Sequence, residues 1–440
     1  MKPSDVLERL SGVAAFMVPG LALWLRSGYS WGAAVLLLCS LATAGVWLRR
    51  PPGRHAWWLF ASIVAMGFVW ALDFDPAQGG WSNLDRPSKY LLALPCLFYL
   101  LAYPPRAVWL WWGLAVGACG AGLIGIYQTG VLHLLRANGY TNAIQFGGLS
   151  LLLGLMCSTT LLVQWSRWKA WQRVGWVVCI LLGFEGSLLS ESRGGWLVLP
   201  LALPICAWLQ ARCGQRRLAM AGVALILAGA AGLMALNAHD VRSRVDEARQ
   251  EITQYESKGD AASSVGQRLA HWKLAWAMGI DRPLTGWGRY GYEAEKQRRV
   301  AAGLAHPFVL QFSHAHNEVL DIFAKRGLPG VAVLLLFYAV PLALFWPTRR
   351  RVCRATEDGS MDPQVLCLRL VGVLLPIGYI GFGFTQVFLG HNSGTMFYLF
   401  MGMLVLAILQ GREREALRRR LRPSASTAPA VASGHSVPPA

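Results

Sequence analysis

Charge is what this chain has least of. Only 15% of its 440 residues are Asp, Glu, Lys or Arg, and the acidic share is the thinner part, 23 against 41 basic residues. A soluble protein would carry about 25% charge, which excludes an ordinary water-soluble domain. Cysteine is present nine times, but no CxxC or Cys/His metal spacing occurs and none of the nine falls within 237–316. Neither a disulfide nor a zinc site is expected. No Walker A sequence is found, which argues against nucleotide hydrolysis. No Arg-rich domain interleaved with aromatics exists, so the net charge of +18 is not read as a nucleic-acid footprint. No internal repeat is visible. No small-residue cleavage site follows the first apolar run, so Lys2 and Arg9 lead into an uncleaved helix rather than a removed signal peptide.

What is there is apolar: 55% hydrophobic residues with 20 Trp. Apolar runs of roughly 18 to 22 residues recur, the length that crosses a bilayer core. The expected fold is an all-α polytopic membrane protein with about twelve transmembrane helices and one large, mostly helical periplasmic loop. The spans fall near 9–25, 30–48, 56–72, 89–103, 107–127, 144–163, 174–190, 195–211, 217–236, 328–347, 366–388 and 393–410. Cations gather in alternate connections. Arg49, Arg50 and Arg54 follow the second span, Arg167, Lys169 and Arg173 the sixth, and Arg349, Arg350, Arg351 and Arg354 the tenth. Lys and Arg mark cytoplasmic loops, so both termini are placed in the cytoplasm and the odd-numbered loops outside.

This divides the chain into spans 1–9 over 1–236, a loop domain over 237–316, an interfacial half-helix with spans 10–12 over 317–411, and a disordered cytoplasmic tail over 412–440. Within the loop, Val241 to Lys258 has the spacing of an amphipathic helix. A second helix is expected from Ser264, capped by its hydroxyl with Gln267 completing a capping box. It would bury Val265, Leu269, Trp272 and Trp276 as one stripe. Gly286, Gly288 and Gly291 then make a tight loop. The charges from Glu318 to Arg326 place 315–326 as a half-helix at the interface or in a cavity, with Asp321 and Lys325 paired at i, i+4. Gly327-Leu328-Pro329-Gly330 ends it.

Few residues on the expected outer face can do chemistry. Arg193, in Ser190-Glu191-Ser192-Arg193-Gly194-Gly195, stands at a helix start with glycines beside it, an arrangement suited to phosphate. The plainer alternative pairs it with Glu191. Arg268 lies in the first turn of its helix, where a cation is disfavoured unless an anion is near. It could instead join a surface ion pair. His316, beside Asn317, titrates near neutral pH and can take a proton from an alcohol, or could be a hydrogen-bonded structural residue. His314 and His316 could ligate a metal with Glu318, but an i, i+2 pair diverges on a helix. His391 lies between the last two spans. Asp73, Asp75 and Asp85 are candidate bases for another lipid-linked glycosyltransferase plan.

These residues resemble the O-antigen ligases, within the wider group that includes O-antigen polymerases and bacterial protein O-oligosaccharyltransferases. The matching elements are Arg193-Gly194-Gly195-Trp196-Leu197 and His316-Asn317 followed by Gly327-Leu328-Pro329-Gly330. Arg268 with Trp272, then Pro283-Leu284-Thr285-Gly286-Trp287-Gly288, matches the wider group. The resemblance implies an inverting, metal-independent transfer of O-antigen polysaccharide from undecaprenyl diphosphate to the lipid A core, in the bacterial inner membrane with the site facing the periplasm. His316 would be the general base and Arg193 and Arg268 would bind the diphosphate. His314 and Asn317 are secondary candidates, His314 with its side chain turned elsewhere. No cofactor is implied. The partners would be the lipid-linked donor, the lipid A core acceptor and membrane lipid, with no nucleic acid. A lipid-linked sugar transporter, with Glu185 as its ionisable group, and a non-catalytic scaffold are the readings from other classes.

Overall fold

A computed structural model describes residues 3–49, 52–224, 253, 263–354, 356 and 359–420. Every regular element among them is helical. In chain order these are α1 (Pro3–Gly20), α2 (Gly28–Ala42), α3 (Ala44–Trp47), α4 (Arg54–Ala71), α5 (Asp85–Ala102), α6 (Ala107–Ile126), α7 (Ala143–Val163), α8 (Ala170–Leu189), α9 (Leu199–Gln210), α10 (Ser264–Asp281), α11 (Gly288–Ala301), α12 (Glu318–Phe345), α13 (Arg349–Cys353), α14 (Pro363–Gly383) and α15 (Asn392–Arg420).

Among the described residues, seven helical segments are long and apolar enough to cross a bilayer: Ala107–Val131, Ala143–Val163, Ala170–Leu189, Arg193–Ala224, Glu318–Phe345, Pro363–Gly383 and Asn392–Arg419. Four of the other expected spans coincide with α1, α2, α4 and α5, helices of 15 to 18 residues that do not reach that standard. The expected eighth and ninth spans run together as far as Ala224, with a kink at Gly214 (φ +99°) where a cationic loop was expected. The rest of the ninth span, and the helix expected over Val241 to Lys258 apart from Thr253, lie outside the described residues. The tail does not begin at 412, because α15 runs on to Arg420. Arg412 and Arg369 in this region pair with Asp362 and Glu413, which gives the helix polar support past its apolar part.

α7, α14 and α15 are almost wholly buried and form the centre of the bundle. The starts of α7 and α14 are capped by side chains. The Asn142 side chain accepts from the Gln145 N–H at 2.8 Å, and Asp362 accepts from Gln364 and Val365 ahead of Pro363. α8 packs on α7 through small residues, as membrane helices do when dispersion and hydrogen bonds replace the hydrophobic effect. A Cβ on Gly183 would lie 3.0 Å from the Gly154 Cα, and Ser150 Oγ donates to the Gly183 carbonyl at 2.7 Å. This contact fixes the end of α8 that carries Ser190 to Arg193.

A second clamp shapes the chain before α12. The turn after α10 docks on the kink at Gly327 (φ +63°, ψ −165°). There the Leu328 N–H donates to the Pro283 carbonyl at 2.7 Å and the Trp287 N–H to the Ala324 carbonyl at 3.0 Å. The half-helix and the spanning helix are therefore one kinked element, and Glu318, Asp321, Lys325 and Arg326 are buried in protein rather than at an interface. The tight turn is shorter than expected, since Gly291 is already helical in α11. Gly286 (φ +63°) has no room for a side chain, because a Cβ would meet the Arg326 backbone nitrogen at 2.2 Å. Gly286→Ala is expected to cost about 2 kcal/mol or more from backbone strain alone, read as a lower unfolding midpoint in detergent. Gly288→Ala, at a similar φ (+65°) but in open space, should cost less. Equal midpoints for the two variants would refute the docking argument.

Candidate active site

The cluster is built at the end of the bundle where α8 ends and α12 begins. After α8 the chain turns through Glu191, whose φ of +52° is uncommon for a residue with a side chain. Arg136 Nε donates to the Ser190 carbonyl at 2.9 Å and holds this turn. Arg193 opens a short 3-10 helix, Arg193–Val198. Its backbone N–H donates to the Glu191 carbonyl at 3.1 Å, and its side chain is exposed, with no ion pair to Glu191 among the described residues. Gly194 lies against Thr385, where a Cβ would come within 2.4 Å of the hydroxyl oxygen.

On the other side, Ser313 to Ala315 is held by α12. Asp321 accepts from the Ala315 N–H at 2.9 Å. Lys325 Nζ reaches both Asp321 oxygens at 2.8 and 2.9 Å and donates to the Ser313 carbonyl at 2.8 Å. The expected i, i+4 pair is thus present, with two backbone groups as its clients. His316 then takes a left-handed conformation, φ +52°. Asn317 caps α12, accepting from the Leu320 N–H at 3.0 Å, and its Nδ2 donates to the Phe384 carbonyl at 3.3 Å.

Here the structure corrects the expectation for His314. His314 and His316 are not on a helix, and the turn brings their rings to 4.3 Å between centroids. The His316 N–H donates to His314 Nδ1 at 3.3 Å. His314 therefore faces His316 instead of turning away. Among the described residues no group of three or more His, Cys, Asp or Glu is arranged to hold a metal ion.

Arg268 approaches from α10. That helix is capped by Ser263, whose side chain accepts from the Gly266 N–H at 3.0 Å; the cap expected at Ser264 sits one residue too late. Trp272 Nε1 donates to the His316 carbonyl at 3.4 Å, so α10 touches the histidine turn directly. The buried face of α10 is Ala270, His271, Leu274, Ala275 and Met278, while Trp276 is 57% exposed. The expected stripe was rotated. Tertiary packing on α12 decides which face is covered.

Two members were not found from sequence. His271, fully buried, sets its ring 5.4 Å from that of His316, and neither of its nitrogens has a partner among the described residues. Gln386, in the 384–391 loop, neighbours the His316 side chain and favours its protonated form. The same loop presses Thr385 on Gly194, so it joins the Arg193 turn to the His316 turn. It is itself held by Glu318, which accepts from the Leu389 N–H at 3.1 Å. His391 lies 6.1 Å from His314, ring to ring. Of the acids after the third expected span, Asp73 pairs with Arg326 and Asp85 with Lys89, and the Asp75 side chain accepts hydrogen bonds from the Ala77 N–H and from Gln78.

Burial, then the Arg268 charge, pushes His316 down to about 4; burial and His316 push His314 down to about 3. His271 is lowered to about 4, mainly by burial and then by His316. The imidazoles are neutral at pH 7, so each can accept a proton. Chemically, an arginine can receive an anion and a neutral histidine can accept a proton from a hydroxyl.

The fold and cluster define a multi-pass membrane protein with a polar site at one end of its bundle. Residues 177–335 match the family model described as O-antigen ligase, a stretch that holds Arg193, Arg268 and His316. The family is associated with glycosyl transfer in polysaccharide biosynthesis, using a lipid-linked glycan and a lipid acceptor in general terms. The chain is also similar to a Haemophilus influenzae protein described as uncharacterized, 25% identical over 350 residues that span 80% of this chain and 85% of that protein.

Proposed function

We propose that this protein is an inverting, metal-independent glycosyltransferase that moves O-antigen polysaccharide from undecaprenyl diphosphate to the lipid A core. It would do so in the bacterial inner membrane, with twelve spans, cytoplasmic termini and a periplasmic site. The observation that supports this reading is the 384–391 loop, whose Thr385 abuts Gly194 and whose Gln386 neighbours His316, so that it links the Arg193 turn to the histidine turn, both of which lie in the stretch that matches the O-antigen ligase family model.

The acceptor hydroxyl oxygen attacks the anomeric carbon while its proton passes to the neutral His316. The bond from that carbon to the diphosphate breaks, and the electron pair leaves on the diphosphate oxygen. Arg193 and Arg268 hold the diphosphate and stabilise its growing charge; guanidinium is permanently charged and pairs bidentately with phosphate, so it can serve where a metal otherwise would. Asn317 and His314 hold the base in place. One displacement inverts the anomeric centre.

Purified protein given lipid-linked glycan and three acceptors, namely lipid A core, growing glycan and a Ser-containing protein, is expected to glycosylate lipid A core, with EDTA present. Transfer to growing glycan or to protein instead would make it a polymerase or a protein O-oligosaccharyltransferase, and loss in EDTA restored by a divalent ion would overturn the metal-free reading. The pH profile gives a separate check. The base works in its neutral form, and burial lowers its pKa, so activity should persist to more acid pH than an ordinary histidine allows. We expect kcat/KM to stay level from pH 7 downward and to fall only near the His316 value of about 4. An acid limb at about 6.5, the unperturbed imidazole value, would contradict the assignment.

A further inference from the structure

A second cationic cluster, not used in the proposed mechanism, lies beside the first. Arg86 and Arg326 both rest against the Trp70 ring, with guanidinium carbons 4.3 and 4.8 Å from its centroid. Arg289 is close enough that it and Arg326 both repel Arg86. Asp73, paired with Arg326, is the acid among them. Glu318 also acts on Arg86, and its Oε2 already accepts from the Leu389 N–H. Among the described residues, Asp73 is the one carboxylate in an ion pair with any of the three guanidiniums.

The local backbone adds to the imbalance. Arg86 is the second residue of α5 and Arg289 the second residue of α11. A helix start carries partial positive charge and disfavours a cation unless an anion is supplied. Neither start has a side-chain cap among the described residues. Asn83 ties the two starts together. It accepts from Arg289 Nη1 at 3.3 Å and donates to the Tyr290 hydroxyl at 2.7 Å. Independently, Arg326 is only 4% exposed, and its Nη1 has no hydrogen-bond partner among the described residues. A buried guanidinium N–H without an acceptor is costly and calls for one.

Position assigns this cluster a role. Arg86 Nη2 donates to the Gly390 carbonyl at 2.7 Å, so the 384–391 loop is held here at one end and meets Gly194 through Thr385 at the other. His391 and Gln386, from the same loop, reach His314 and His316 between them. In an in-line displacement the attacking and leaving oxygens stand on opposite sides of the reacting carbon. With the diphosphate at Arg193 and Arg268, the acceptor enters from the other side. We propose that Arg86, Arg289 and Arg326 form a second anion site that binds a phosphate group on the saccharide acceptor. This rests on the transferase reading given above.

The test uses full-length protein in zwitterionic phospholipid, comparing wild type, Arg289→Ala and Arg289→Gln, with Arg298→Ala as an exposed control on the same helix. Each is assayed with a phosphorylated acceptor and with the same acceptor after phosphatase treatment. The Arg289 variants should raise the KM for phosphorylated acceptor about tenfold, with kcat and donor KM changed less than about twofold. Dephosphorylation should raise the wild-type KM by a similar factor and change that of the variants little. An unchanged KM, an equal loss on both acceptors, or a change in donor KM instead would overturn the site. An effect that emerges only on adding anionic phospholipid would assign the cluster to a lipid headgroup and defeat the acceptor claim. If wild type transfers to no acceptor, the transferase reading fails. Calorimetric binding of the phosphorylated acceptor then still decides the site: tighter binding by wild type than by Arg289→Ala supports it, and equal binding rejects it.

Discussion

His316→Ala is expected to lower transfer by about a thousandfold while leaving membrane insertion intact. General-base catalysis contributes about 10² to 10⁴ in rate, and His316 is the neutral imidazole that the other groups converge on. Its carbonyl accepts from Trp272, its N–H donates to His314, and its side chain neighbours Gln386. Those contacts also make it a structural residue, so alanine alone does not separate base loss from misfolding. His316→Asn separates them. Asn tolerates the left-handed backbone found here and keeps a polar side chain, but it cannot accept a proton near neutral pH. Both variants should be inactive, and His316→Asn should match wild type in unfolding midpoint. Transfer within tenfold of wild type in a well-folded His316→Asn protein would remove the histidine as base.

Arg193→Lys should lose about a hundredfold despite keeping its charge. Removing one preorganised donor from a developing oxyanion costs about 10² to 10³. Lysine supplies a point charge where the planar fork supplies two parallel N–H bonds. The structure sharpens the expectation. Arg193 is exposed and is not paired with Glu191 among the described residues, so the substitution removes no ion pair there. The midpoint should hold, with the loss in the kinetics. An active Arg193→Lys enzyme would mean that charge alone suffices at this position. A parallel drop in midpoint would return Arg193 to a structural role.

The candidate site was legible where chemistry and turn punctuation coincide. Arg193 beside two glycines and His316 before a cap residue and a Gly-x-x-Gly break were readable, because positive φ and helix starts leave local marks. The Asp321–Lys325 pair followed from helical spacing. His271 left no mark, because a histidine on the apolar side of a helix looks like any other core residue until its neighbour is known. Gln386 sits in a short connection between spans, and only the packing of α12 against α14 brings it to His316. The rotated face of α10 and the true orientation of His314 failed for a related reason. The first is decided by what covers the helix, and the second by a single left-handed residue that overrides helical geometry. At the level of the fold, the long apolar runs were plain. α1, α2, α4 and α5 coincide with expected spans without having the length or hydropathy to stand on those grounds alone.

The kink at Gly327 has a mechanical consequence. Among the described residues, the bonds that hold the histidine turn to α12 are made ahead of it, at Leu320, Asp321 and Lys325, and the Pro283–Leu328 and Trp287–Ala324 bonds pin the joint itself. The apolar length of the helix lies entirely behind that joint. The histidine turn is thus carried by the short arm ahead of the joint, and among the described residues the membrane-length arm behind it makes none of the bonds that hold that turn.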